Sequence, residues 1–159
     1  MEVKTTHLDL VEHGYKCVTD RAEYLWHSGM CIVTHKPDHL LDEGTARRVE
    51  AERSELCPEH TGTVLHVVPR SIEMFDQDAL SFWMSREAAD ATMARAVVVP
   101  SGITALRHRL RWMFFSSDIA FRVFRHPQVA KGWLIDQWLQ HQELNLESSE
   151  ERFLRQPQS

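Results

Sequence analysis

The 159-residue sequence is short of several features that would mark particular protein classes. It has three cysteines, Cys17, Cys31 and Cys57, an odd number at wide spacing, so no disulfide framework is written into it. No stretch reads as a signal peptide, and no apolar run is long enough to span a bilayer. A reduced, cytoplasmic setting without membrane attachment is the expectation. Glycine is sparse at six residues, and no glycine-rich phosphate loop with its lysine is present. Positive charge is also in deficit: 18 Lys and Arg against 23 Asp and Glu leave a net charge of −5, which argues against nucleic acid as a partner. No G-x-S-x-G turn offers a nucleophile. Cys57 and His60 stand three apart like half of a zinc site, but no second C-x-x-C or H-x₃-H pair completes it. No metal, no cofactor and no catalytic residue are therefore expected.

What is present is apolar patterning of an α/β kind. The run Ala96, Val97, Val98, Val99 does not alternate, and neither does the run over residues 63–68. Both read as strands covered on two faces, neighbours in the interior of one sheet. Residues 23–27 and 30–35 are β-rich runs around Ser28-Gly29, a hairpin signal. Asp42 precedes a helix with Ala46, Val49, Arg53 and Leu56 near one face, ended by Pro58. Asp76 caps a second helix, with Phe75, Ala79, Phe82 and Trp83 as its inward stripe. Residues 120–124 make a short strand, and Pro127 opens a last helix carrying Ala130, Trp133, Leu134 and Trp138. The chain divides into an N-terminal arm or edge strand over 1–21, one α/β domain over 22–141, and a polar tail over 142–159 in which a short helix is allowed. The sheet should be mixed, of four to six strands, with about four helices.

Between the central strand and residues 120–124 lies a third periodic helix. Ile103, Leu106, Leu110, Met113 and Phe114 follow helical spacing and define its buried face, which leaves His108, Trp112 and Phe115 on nearly the opposite side. Flanked by Arg109 and Arg111, these aromatics have the composition of a protein interface. A homodimer is the leading expectation. An alternative is a pocket under helices two and three, with Ser101, Arg107 and Arg122 holding a small anionic or lipid-like ligand; Ser101 follows a strand where free amides could receive an anion. His66, within an apolar strand, reads as a hydrogen-bonded core histidine in preference to a catalytic base.

The element order, together with the hairpin over 29–37, the strands over 63–68 and 94–101, the Phe114-Phe115 pair, Arg122-x-Phe124 and Ala130-x-x-Trp133-Leu134, resembles the STAS-like fold of bacterial anti-sigma-factor antagonists. It is most similar to an uncharacterised bacterial STAS-like group, over residues 22–139. The resemblance implies a non-catalytic regulatory module that contacts itself and an unidentified regulatory protein. It also implies a phosphorylatable hydroxyl after the strand over 63–68, where Ser71 is the nearest candidate. The acidic residue and Ser-Gly pair of that motif are missing, and Ser71 reads better as a turn hydroxyl.

Overall fold

The computed structural model describes residues 7–11, 14–36, 41–59, 61–69, 76–89, 91–99 and 119–154. Seven strands form one mixed sheet in sequential order: β1 (His7–Val11), β2 (Gly14–Val18), β3 (Ala22–His27), β4 (Met30–His35), β5 (Gly62–Val67), β6 (Thr92–Val98) and β7 (Ala120–Phe124). β1 to β4 are an antiparallel meander, and β4 to β7 run parallel. The count exceeds the expected four to six because the first twenty residues, read as an arm or one edge strand, supply two paired strands. Gly14, which interrupts the alternation, opens β2 where a side chain would collide with the Trp26 carbonyl.

The class is α/β. Three helices occur among the described residues: α1 (Glu43–Leu56), α2 (Gln77–Met84) and α3 (Pro127–Leu154). The fourth expected helix, over 103–115, lies outside them. α1 begins where the Asp42 carboxylate accepts from the Thr45 amide at 2.7 Å, a bond that holds this carboxyl below its ordinary value. It ends at Cys57, ahead of Pro58. α2 starts in the same way at Asp76, which accepts from the Asp78 amide at 3.1 Å.

The β3–β4 hairpin closes through Ser28 and Gly29, both at positive φ (49° and 76°), the two-residue turn whose twist matches its strands. β5 and β6 are interior neighbours with nearly continuous burial, as their lack of alternation requires. α1 and α2 cover one face of the sheet, Val49 of α1 clustering with Tyr24, Cys31, Val33 and Val64, and Trp83 of α2 with Val97. α3 covers the other through Ala130 and Leu134, which meet Leu65, Ala96 and Val98. At 28 residues α3 is about 42 Å long, whereas strands of five to seven residues span only about 17–24 Å. The helix therefore outruns the sheet, and its second half leaves past the N-terminal ends of the parallel strands.

Candidate functional site: a buried ion network and a groove at the sheet edge

Most of the residues selected from sequence, Ser71, Ser101, Arg107, His108, Arg109, Arg111, Trp112 and Phe115, lie outside the described residues, as does His60. Arg122 is described. It is exposed on β7 with its guanidinium 5.9 Å from the Phe124 ring, on the face that α3 covers.

The chemistry that is described was not singled out in the sequence. Glu50 and Arg53 face inward one turn apart on α1, and Arg95 faces them from β6; all three are buried. One oxygen, Glu50 Oε1, accepts from Arg53 Nη2 at 2.6 Å, Arg53 Nε at 3.0 Å and Arg95 Nη2 at 2.8 Å. Arg95 also donates to the carbonyls of Trp83 (2.8 Å) and Ala88 (2.6 Å), and reaches Thr92 Oγ1 at 3.5 Å. Burial draws its guanidinium below the ordinary value and the Glu50 carboxylate draws it back, so it stays a cation. Two cations share one carboxylate, and the network carries an excess positive charge. Among the described residues, Glu50 Oε2 and Arg95 Nε have no hydrogen-bond partner. A second carboxylate, Glu52, accepts from Thr19 (2.9 Å), Tyr24 (2.8 Å) and Arg21 (2.5 Å), tying the β2–β3 turn to α1.

Arg95 has a clear structural office. It fastens the last turn of α2 and the segment that follows it, through Trp83 and Ala88, to β6 at Thr92. Its positive charge also faces the negative end of the α2 dipole.

Beside this network His35 Nε2 and His66 Nδ1 form a hydrogen bond of 3.1 Å, and the His66 ring stacks on Trp83 with centroids 4.0 Å apart. His66 is fully buried, and its pKa is well below the ordinary value, first through desolvation and then through His35, Arg95 and Arg53. The ring is neutral and sealed from water, which fits a packing role.

The three cysteines converge around Tyr15, whose hydroxyl is raised above its ordinary value by burial, by a hydrogen bond with the Cys57 thiol and by the other two thiols. All three are free. Among the described residues, no group of three or more His, Cys, Asp and Glu side chains is placed to hold a metal ion.

A groove of about 440 Å³ opens where α3 leaves the sheet. One wall is Trp138, His141, Gln142 and Asn145 of α3; the other is Thr61 with Ala89, Ala91, Thr92 and Met93. The loop wall is stiff: Thr92 N donates to Ala89 O at 2.9 Å, Gly62 N to Ala91 O at 3.3 Å, and Arg95 grips Ala88 and Thr92 from beneath. Ala91 sits at φ 55°, a left-handed conformation that costs a non-glycine residue about 1 kcal/mol or more. Trp138 is seated against Gly29, where a Cβ would lie 3.1 Å from the indole's six-membered ring.

Comparison with protein-family models, curated proteins and solved structures finds no match. Among the described residues no helix is long and apolar enough to cross a membrane.

Proposed function

We infer that the chain is a cytoplasmic STAS-like regulatory module, non-catalytic, that acts through protein contacts and pairs with a second copy of itself. One observation carries this reading. The large apolar side chains most exposed among the described residues, Val129, Ile135, Leu139, Leu144 and Leu146, all belong to α3. Ile135, Leu139 and Leu146 recur at intervals of four and seven, so at 100° per residue they fall within about 40° of one another, a seam of the kind two helices share. An apolar stripe of this kind, broken by Gln142 alone, on a helix that overshoots its own sheet suits a surface for another chain. The ionisable groups of the interior support the same reading from the other side. Glu50, Arg53, Arg95 and His66 are closed off from substrate and hold helices to the sheet.

The test is the oligomeric state. Wild-type protein at micromolar concentration should scatter light as a dimer. Leu139→Asp, at a half-exposed position where the fold tolerates charge, should be a folded monomer, because a twofold interface meets each substitution twice. A monomeric wild type refutes the pairing.

A further inference from the structure

The groove between α3 and the loop preceding β6 has the construction of a binding site, and its lining specifies the ligand's chemistry. Its volume of about 440 Å³ lies within the usual range for small-molecule sites. The two walls are held by independent means. Gly29 can stand against the Trp138 indole because it has no Cβ, which fixes the ring. The opposite wall is held by a buried guanidinium that spends its donors on Ala88 and Thr92, and it includes the left-handed Ala91. Shape is therefore set before any ligand arrives, which lowers the ordering cost of binding.

Among the described residues the lining carries no carboxylate, ammonium or guanidinium, and its one titratable side chain is the His141 imidazole. It combines an aromatic face, the small apolar groups of Ala89, Ala91 and Met93, and a row of neutral donors and acceptors. Trp138, Gln142 and Asn145 stand at i, i+4 and i+7 on α3, one above the other on the groove side, with Thr61 and Thr92 opposite. An indole beside carboxamides is the combination that reads a flat heterocycle, by stacking on its face and pairing with its edge.

We propose that this groove binds a small uncharged aromatic heterocycle of the nucleobase class, stacked on Trp138 and hydrogen-bonded at its edge by Gln142 and Asn145. Around α3, Trp138 and Asn145 lie about 80–100° from the centre of the stripe of Ile135, Leu139 and Leu146, while Gln142 stands about 40° from it, at the border between the groove and the pairing surface.

The experiment titrates the full chain with adenosine, guanosine, cytidine and uridine, read by saturation-transfer NMR and calorimetry. At least one should bind with Kd of about 1 mM or tighter. Gln142→Leu and Asn145→Leu, at exposed positions and with native circular dichroism as the control for folding, should each weaken that nucleoside about tenfold, and Trp138→Leu by at least as much. The corresponding 5′-monophosphate should bind no tighter at about pH 8, where an imidazole such as that of His141 is neutral, since no lysine or arginine lines the groove among the described residues. The proposal is overturned if no nucleoside binds at millimolar concentration, if binding survives the two leucine variants unchanged, or if the monophosphate binds at least about tenfold tighter.

Discussion

His35 Nε2 and His66 Nδ1 are hydrogen-bonded at 3.1 Å, deep between the sheet and α2, with the His66 ring flat against Trp83. Such a pair holds only while at least one of the two rings stays neutral and keeps a lone pair to accept with. The structure enforces this at His66 through burial, aided by His35 and by the positive charges of Arg95 and Arg53. The consequence is a dependence of stability on pH with a definite sign. The folded pKa of His66 is below its ordinary value of 6.5, so below that pH the unfolded chain takes up a proton that the folded chain refuses. The contribution is complete above 6.5 and is lost as pH falls towards the folded value, at about 1.4 kcal/mol per pH unit. Urea unfolding at about pH 7.5 and 5.5 should show the wild type losing about 1 kcal/mol more than His66→Gln over that interval. Equal losses in the two proteins would mean that His66 is not the responsible group.

The Glu50 network makes a second, comparative prediction. Removing either arginine leaves a one-to-one ion pair, so Arg53→Met and Arg95→Met have the same effect on the charge balance. They differ in what else is stranded: Arg95 alone also satisfies the Trp83 and Ala88 carbonyls. A buried carbonyl without a partner costs about 1–3 kcal/mol. Arg95→Met should therefore destabilise by about 2–5 kcal/mol more than Arg53→Met in equilibrium unfolding. Glu50→Gln, which leaves two buried cations unopposed, should cost about 3–5 kcal/mol. Equal effects for the two arginine variants would remove the loop-fastening role assigned to Arg95.

Thiol accessibility gives a third. Cys17 and Cys31 are fully buried on the sheet, and desolvation raises the Cys31 thiol far above its ordinary value, whereas Cys57 caps α1 at partial exposure. A thiolate-trapping reagent should modify Cys57 alone in the native protein and all three cysteines in denaturant, because reactivity follows exposure and thiolate fraction. Cys57→Ser should leave the native protein unreactive. Rapid labelling of Cys31 would show that α1 does not seal the sheet face.

Much of this fold is legible in short-range pattern. Ser28-Gly29 marks the hairpin, Asp42 and Asp76 cap their helices, and the unbroken apolar runs place β5 and β6 in the interior, because turn geometry, capping and burial on two faces each leave a local trace. Charged residues inside a strand leave none. Arg95 interrupts an apolar run with no sign that its counter-charge is Glu50, 45 residues earlier on another element. The groove is hidden for the same reason: Trp138 reads as one more packing residue, and its neighbours Thr61 and Ala91 come from two loops that meet α3 only in three dimensions. The one trace of it in the sequence is the spacing of Trp138, Gln142 and Asn145, yet periodicity is a statement about one helix and cannot supply the opposing wall.

The β3–β4 turn joins the hairpin to the groove wall, and substitutions at its two residues should act in opposite directions. Ser28 holds φ 49° and Gly29 φ 76°, so both positions suit glycine, but only one has it. Ser28→Gly relieves left-handed strain of about 1 kcal/mol, partly offset by the greater freedom it gives the unfolded chain, and should be neutral or slightly stabilising. Gly29→Ala adds that strain and also sets a methyl 3.1 Å from the six-membered ring of Trp138. Together these should cost about 1–3 kcal/mol in urea unfolding. The two causes separate in a double-mutant cycle. In a Trp138→Leu background the backbone strain persists while the ring contact is gone, so Gly29→Ala should cost about 0.5–1 kcal/mol less than in the wild type. An identical cost in both backgrounds would show that Trp138 does not rest on Gly29, and the fixed orientation of the indole would lose its support.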